Sequence, residues 1–311
     1  MPGGHATEDK FVGCLLGLAI GDALGMPFEG MPAGAIARYH GRVTDFRPGR
    51  GLAAGQFTDD TQMALCIAES IAARGRVDPA DIARRFVAWF EGGDVRGIGG
   101  ACLEGILNLR RGVPWWESGK RGQWAAGNGA AMRIAPVGLL DCRDLERLRK
   151  DVHDVSIITH RNEEAVAGAQ AVAYAVAKLV TGEANLSALL DGVMAFIGQC
   201  EVARNLSRAR ELLAADTPTA EALAVLGTSG YVVHTVASAF YCFLRTPRNF
   251  AETVIAAVMG GQDTDTIAAI AGAISGAHNG VGGIPKRWLE EVEDAERLAN
   301  LARKIYLLQG R

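Results

Sequence analysis

The chain has 311 residues, with 32 lysines and arginines against 35 aspartates and glutamates, and a formal net charge of -3. This length can bury a substantial core. The charge balance offers no basic surface that would hold a phosphate backbone by counterion release. We therefore expect a globular protein whose partner is not a nucleic acid.

The N-terminus, MPGGHATEDK, lacks the basic and then apolar pattern of a secretion signal. No strongly apolar run of about 18 residues is free of charge, so we predict no membrane segment. The cysteines are widely spread and form no C-x-x-C pair, which is typical of free thiols in a reducing compartment. They are Cys14, Cys66, Cys102, Cys142, Cys200 and Cys242. These features predict a cytoplasmic protein.

The apolar residues recur at a helical period of about 3.6 through most of the chain. In chain order, the segments with this spacing are MALCIAESIAARG, DIARRFVAWFEGG, DLERLRKDVHDVSIITH, NEEAVAGAQAVAYAVAKLVTG, LSALLDGVMAFIGQC and NLSRARELLAAD. Two later segments, TVIAAVMGG and DTIAAIAGAISGAHNG, are apolar nearly all round and rich in glycine and alanine, which predicts closely packed central helices. No run alternates valine, isoleucine and threonine between turns. We predict an all-α fold without a significant sheet, in a single domain over residues 1–311 with a flexible N-terminus over residues 1–10.

Two short polar segments carry the strongest chemical signal. TDDT, residues 58–61, and DTDT, residues 263–266, each open an apolar helix. One interpretation is helix capping, because threonine and aspartate at a helix start satisfy free N–H groups and face the helix dipole. The other is that the two helix starts meet, in which case the buried carboxylates would repel one another unless a cation neutralises them.

A cation at these segments would be a hard one. The candidate ligands are carboxylate and hydroxyl oxygens, with no cysteine or histidine at zinc spacing, so Mg²⁺ or Mn²⁺ is expected, with Ca²⁺ as an alternative. The four aspartates carry enough charge for two divalent ions. Such a pair would hold the hydroxyls of a substrate and activate a water molecule.

Five segments resemble, in this order, the ADP-ribosylglycohydrolase family: GCLLGLAIGDALGMPFEG, FTDDTQMAL, GNGAAMRIAPVGL, ITHRNEEAVAGAQAVAYAV and GGQDTDTIAAIAGAISGAHNG. The family includes dinitrogenase reductase-activating glycohydrolase and the hydrolases of ADP-ribosylarginine and ADP-ribosylserine. The resemblance runs from Phe11 to about Gly283 and implies a compact orthogonal multi-helix bundle that carries two Mg²⁺ or Mn²⁺ ions. Gln262 is a departure, since the family usually has a second glycine there.

The resemblance also implies roles for individual residues. The expected metal ligands are Thr58, Asp59, Asp60, Asp263, Asp265 and Thr266. The expected catalytic residues are Asp59, Asp60, Glu29 and Asp263. The expected substrate-binding residues are Gly97, Gly99, Gly127, Asn128, Gly129, His160 and Asp94, with the two glycines of the GDVRGIGG loop letting backbone N–H groups approach a diphosphate.

Several of these residues have a simpler structural interpretation. Glu29 could be an ordinary loop carboxylate, and the GNG segment at residues 127–129 a simple turn. His160 could be a helix cap or a core hydrogen-bonding group, and we assign it to binding rather than to proton transfer. Asp94 is assigned to meet a guanidinium leaving group, although acidic residues are common in loops.

The implied reaction is hydrolysis of the bond between ADP-ribose and a side chain of a modified protein, with ADP-ribose as a product. Water attacks the anomeric carbon through an oxocarbenium-like state. Arginine is the first choice for the modified residue, and serine or a small ADP-ribose conjugate is the alternative. A non-catalytic ADP-ribose-binding protein and a two-metal phosphoesterase are the rival functions.

Overall fold

The computed structural model describes residues 6–182 and 185–310. Within them the helices are α1 (Glu8–Gly25), α2 (Ala33–His40), α3 (Asp59–Arg74), α4 (Pro79–Glu91), α5 (Gly100–Arg110), α6 (Trp115–Ser118), α7 (Ala135–Leu140), α8 (Leu145–Ile157), α9 (Glu163–Val180), α10 (Leu189–Ile197), α11 (Glu201–Ala214), α12 (Thr219–Leu226), α13 (Val232–Arg245), α14 (Phe250–Met259), α15 (Thr264–Asn279), α16 (Lys286–Glu291) and α17 (Ala295–Leu307). Short 3-10 helices cover Met26–Phe28, Gln123–Ala125, Asn128–Ala130, Leu186–Ala188, Val281–Gly283 and Leu308–Gly310. Two short strands, β1 (Lys120–Arg121) and β2 (His160–Arg161), pair in parallel. The prediction of an all-α fold without a significant sheet is confirmed.

Helices α1 and α15 form the centre of the fold. Glycines recur at every fourth position along α1, at Gly13, Gly17, Gly21 and Gly25. A methyl group on Gly17 would overlap the carbonyl oxygen of Gly272, and one on Gly25 would overlap the backbone of Thr264. Because the glycines leave no side chain between the helices, their backbones touch. This antiparallel contact brings the end of α1 to the start of α15.

The segment Glu8–Phe28 is long and apolar enough to cross a membrane by length and composition, with a mean hydropathy of 1.7. We expected no membrane segment. In the structure, 94% of an 18-residue stretch of this segment is buried inside the fold. Asp22, near the end of the helix, is completely buried against other protein groups. The helix therefore serves as a core helix in this fold.

Part of the N-terminus that was expected to be flexible is helical. Residues 8–10 were expected to be flexible, but they form the first turn of α1, and Lys10 donates a hydrogen bond to the carbonyl of Leu179 at 2.8 Å. Residues 1–5 lie outside the described residues. The buried apolar side chains form one cluster, whose members range along the chain from Ala6 to Ile305. The assignment of residues 1–311 to a single domain stays a prediction.

The cysteines form no disulfide among the described residues. All are buried except Cys200, which is partly exposed. Burial raises the pKa of the Cys66 and Cys242 thiols to about 12, so both stay protonated at neutral pH.

Candidate active site

A cleft of about 480 Å³ opens where α3 and α15 begin. The two TDDT and DTDT helix starts meet in it, and their lining residues are Asp59, Asp60, Asp263, Asp265 and Thr266. The close contact between α1 and α15 fixes the start of α15. The start of α3 is fixed by the N–H of Asp59, which donates to the carbonyl of Arg96 at 2.7 Å.

Asp22 holds the first turn of α3 by hydrogen bonds. One carboxylate oxygen accepts hydrogen bonds from the N–H and the hydroxyl of Thr58, at 3.0 and 2.8 Å. The other accepts from the N–H and the hydroxyl of Thr61, at 3.1 and 2.7 Å. Thr58, an expected metal ligand, does not line the cleft, because its hydroxyl points to Asp22 and, at 3.3 Å, to Asp60.

Sequence reasoning missed Asp22. The signal was available, since it is the only charged residue in the otherwise apolar stretch from Phe11 to Phe28. A carboxylate in such a helix needs several hydrogen-bond donors, because its burial is otherwise too costly. Asp22 is therefore a positioning residue for the first turn of α3.

Three carboxylates form the group best arranged to hold a cation. One oxygen atom from each of Glu29, Asp263 and Asp265 lies within 4.8 Å of the others. Nearby, the Oδ1 atom of Asp60 is buried and has no hydrogen-bond partner among the described residues. An unpartnered carboxylate oxygen beside three more carboxylates fits a hard divalent cation such as Mg²⁺ or Mn²⁺.

The pKa values of the carboxylates in the cleft are consistent with a cation site. Burial, followed by repulsion from Asp22, raises the pKa of Asp59 to about 7. Burial and the neighbouring carboxylates also raise the pKa values of Asp60 and Asp265 well above the usual range of an aspartate. A hydrogen bond from Thr266 to Asp60 acts in the opposite direction. The carboxylates are therefore costly to ionise together without a cation.

Glu29 lies on a loop that is joined to the start of α15. The N–H of Gly30 donates to the carbonyl of Gln262, and the N–H of Gln262 donates to the carbonyl of Met31, both at 2.7 Å. Glu29 also forms an ion pair with Arg50. Its carboxylate lines the cleft, so the structure does not favour the interpretation of an ordinary loop carboxylate.

Gln262 has an unusual backbone. Its φ of 63° is in the left-handed region, where glycine is favoured. Its N–H and its carbonyl both form hydrogen bonds with the loop that carries Glu29. These two bonds hold Gln262 in the left-handed conformation. The exposed side chain of Gln262 lines the cleft beside Asp263.

The wall of the cleft contains the glycines of the GDVRGIGG loop. Gly97 has a φ of 85°, and a Cβ atom there would lie 3.3 Å from the Oδ1 atom of Asp59. Gly99 precedes α5 and has open space where a side chain would be. Both glycines line the cleft, which leaves the backbone accessible to a ligand.

The GNG segment, residues 127–129, also lines the cleft and is more than a turn. The Nδ2 atom of Asn128 donates to the Oδ2 atom of Asp263 at 2.5 Å and to the hydroxyl of Thr235 at 2.9 Å. A Cβ atom on Gly129 would lie 2.8 Å from the ring of His160. The segment therefore positions Asp263 and permits the approach of His160.

His160 is neutral in this environment. It is 2% exposed, and its Nδ1 atom lies 2.8 Å from the hydroxyl of Thr159. Burial, with repulsion from Arg133 and Lys120, lowers the pKa of His160 to about 3. A neutral imidazole in the cleft wall fits a binding role better than proton transfer.

Asp94 does not line the cleft. Its carboxylate accepts hydrogen bonds from Arg96 at 3.0 and 2.7 Å, and Arg96 in turn donates to Glu293 at 2.6 Å. The side chain of Asp94 is 68% exposed and faces a neighbouring cavity. The structure therefore does not support the expected contact between Asp94 and a guanidinium leaving group.

Comparisons with known proteins agree with the fold. Residues 4–311 match the model of the ADP-ribosylglycohydrolase family. An uncharacterized protein of Archaeoglobus fulgidus is 39% identical over 309 residues, which cover 98% of both chains. The ADP-ribosylarginine hydrolase Tri1 of Serratia proteamaculans is 32% identical, over 96% of this chain and 80% of that one. A solved structure described as an ADP-ribosylglycohydrolase-related protein complex superposes with a TM-score of 0.80 at 31% identity, covering 97% of this chain and 98% of the other. The chain therefore belongs to the ADP-ribosylglycohydrolase family.

Proposed function

We propose that the protein hydrolyses the N-glycosidic bond between ADP-ribose and an arginine side chain of a modified protein, and releases ADP-ribose. The observation that carries this proposal is the group of carboxylates from Glu29, Asp263 and Asp265, which opens into a cleft with a glycine wall and a neutral histidine. The choice of arginine is supported by the 32% identity to an ADP-ribosylarginine hydrolase.

The carboxylates of the cleft would hold two divalent cations, Mg²⁺ or Mn²⁺. Glu29, Asp60, Asp263 and Asp265 are the ligands that the structure favours, together with the hydroxyl of Thr266. When bound, such cations orient the hydroxyls of the ribose and increase the acidity of a nearby water molecule. Asn128 and Asp22 would hold Asp263 and the first turn of α3 in place as the substrate binds.

In the reaction, the bond between the anomeric carbon and the guanidinium nitrogen breaks, and the oxygen of a water molecule bonds to that carbon. Positive charge develops on the sugar in the transition state, and the nearby carboxylates stabilise it. A carboxylate of the cleft accepts a proton from the attacking water, and this proton is passed on to the leaving nitrogen. His160 would contact the ribose or the phosphates as a neutral hydrogen-bonding group.

The test is the release of ADP-ribose, measured by mass spectrometry, from two peptides that carry ADP-ribose on arginine or on serine. Each reaction is run with Mg²⁺, with Mn²⁺ and with EDTA. The proposal predicts release from the arginine peptide that depends on a divalent cation.

Other outcomes would replace the proposal. Release only from the serine peptide would change the substrate, and formation of AMP would indicate a phosphoesterase. Binding of ADP-ribose without release from either peptide would indicate a non-catalytic binding protein or a small ADP-ribose conjugate as the substrate.

A further inference from the structure

The charges that line the cleft are distributed unevenly. The acidic residues are Glu29, Asp59, Asp60, Asp263 and Asp265, at the starts of α3 and α15 and on the loop before α2. Among the described residues of the lining, Lys120 is the only lysine or arginine. It lies on β1, where it pairs with the neutral His160 of β2. The cleft therefore has a strongly acidic part and a separate position with one cation.

We propose that Lys120 binds the diphosphate of the ADP-ribose group and thereby orients the substrate, with the ribose toward the carboxylates. This inference rests on the proposed function. A diphosphate carries two negative charges, which the ammonium group of Lys120 attracts. Hydrogen bonds between an ammonium group and phosphate oxygens are among the stronger ones in proteins.

The backbone of Lys120 is held firmly. Its N–H donates to the carbonyl of Thr159 at 2.9 Å. The preceding residue, Gly119, is so close to the carbonyl of Ile157 that a Cβ atom would overlap it. The hydroxyl of Ser118 donates to the carbonyl of Ile158 at 2.7 Å. These contacts fix the base of a long and flexible side chain, so its ammonium group can adjust to a ligand without movement of the strand.

The ammonium group of Lys120 forms an ion pair with Glu104 that a ligand can displace. The Nζ atom of Lys120 lies 3.1 Å from an Oε2 atom of Glu104 on α5, and the side chain of Glu104 is 48% exposed. An ion pair with an exposed carboxylate contributes little to stability. The first turn of α5 also lines the cleft through Gly100 and Ala101, so a phosphate beside that turn would be near the lysine.

The experiment measures the dissociation constant of ADP-ribose by titration calorimetry in the presence of Mg²⁺. The proteins are the wild type, Lys120→Met, Lys120→Arg and Glu104→Gln. We expect Lys120→Met to bind about 10- to 100-fold more weakly, which is the usual contribution of a charged hydrogen bond. Lys120→Arg should bind within about threefold of the wild type, because it keeps the positive charge and can donate to phosphate oxygens. Glu104→Gln should bind at least as tightly, because Lys120 no longer shares its charge.

Adenosine, which lacks the diphosphate, serves as the second ligand. Its affinity should not distinguish Lys120→Met from the wild type. Lys120→Met that binds ADP-ribose as tightly as the wild type would overturn the assignment. Weaker binding by Glu104→Gln would also overturn it, because the ion pair would then act by holding β1 in place. A wild-type protein that binds no ADP-ribose would instead overturn the proposed function itself.

Discussion

The buried carboxylate of Asp81 and the buried carboxylates of the cleft have opposite surroundings. Asp81, on α4, is 6% exposed and accepts hydrogen bonds from Ser70 and from three arginines, at 2.8 to 2.9 Å. Burial alone would raise its pKa, but the hydrogen bonds from Arg85, Arg74 and Ser70 outweigh burial and lower it. In the cleft, the groups that act on Asp60 and Asp265 after burial are mainly other carboxylates, and their pKa values are raised.

This difference in surroundings distinguishes Asp81, a structural carboxylate, from Asp60 and Asp265, which are candidate metal ligands. The protein neutralises Asp81 with its own arginines, so this residue has no need of a further cation. The aspartates of the cleft are brought together without enough internal positive charge, at a cost in stability that a bound divalent cation would offset. The countercharge, rather than burial by itself, therefore distinguishes Asp81 from Asp60 and Asp265.

The largest expected effect is the loss of activity in Asp265→Asn. The substitution keeps the shape of the side chain and removes one negative charge from the proposed ligand set. A cation contributes several kcal/mol to the stabilisation of a transition state, so we expect kcat to fall by about 10³-fold or more. The assay is ADP-ribose release from the arginine peptide. The circular dichroism spectrum should remain helical, and activity within tenfold of the wild type would contradict the site.

Asp22→Asn should have an intermediate effect. Asp22 does not line the cleft, but it accepts hydrogen bonds from Thr58 and Thr61 and so positions the first turn of α3. Loss of a group that orients a ligand usually costs about 10- to 100-fold in metal affinity or activity. The concentration of Mn²⁺ needed for half-maximal activity should therefore rise. An unchanged requirement for Mn²⁺ would mean that the turn keeps its position without Asp22.

Asp81→Asn should lower stability and leave activity nearly unchanged. Removing one partner of a buried ion pair is destabilising, and because the arginines are partly exposed we expect a loss of about 2 kcal/mol in the free energy of unfolding. The pKa of Asp81 is lowered in the folded protein. Its contribution is thus complete above the unfolded value of about 3.9 and is lost as the pH falls toward the folded value.

Urea unfolding of Asp81→Asn and the wild type checks this prediction. The difference between the two proteins should be full at neutral pH and should shrink below about pH 4. A difference that grows as the pH falls would contradict the assigned role of the arginines. At a temperature well below unfolding, ADP-ribose release should stay within about threefold of the wild type, since Asp81 does not line the cleft.

The smallest effect is expected for Gln262→Gly. The left-handed φ of Gln262 costs about 1 kcal/mol for a residue with a Cβ atom, and glycine loses a similar amount because its unfolded chain is more flexible. The two terms oppose each other, so the free energy of unfolding should change by less than about 1 kcal/mol. A larger loss in urea unfolding would show that the amide side chain contributes to packing.

Sequence reasoning predicted the helices well because the apolar period of a helix is local information. The meeting of residues 58–61 with residues 263–266 was also open to inference, since each segment has two threonines and two aspartates at the start of an apolar helix. The strands β1 and β2 were not predicted, because two residues are too few to show an alternating pattern.

The remaining differences depend on contacts between distant parts of the chain. Thr58 was expected to be a metal ligand, but its hydroxyl donates to Asp22, which lies 36 positions earlier. Asp94 was expected to meet the substrate, but Arg96 binds its carboxylate, and Glu293 holds Arg96 from the far end of the chain. Neither partner can be identified from the spacing of residues in one sequence. The catalytic and binding roles assigned to the individual residues stay predictions.

We expect the carboxylates of the cleft, unlike Asp81, to bind a divalent cation. Titration calorimetry of the EDTA-treated and dialysed protein with Mn²⁺ tests it most directly, without reference to a substrate. We expect the wild type and Asp81→Asn to bind Mn²⁺ with the same affinity and Asp265→Asn to bind at least tenfold more weakly. A wild-type protein that binds no Mn²⁺, or Asp265→Asn with unchanged affinity, would contradict the claim.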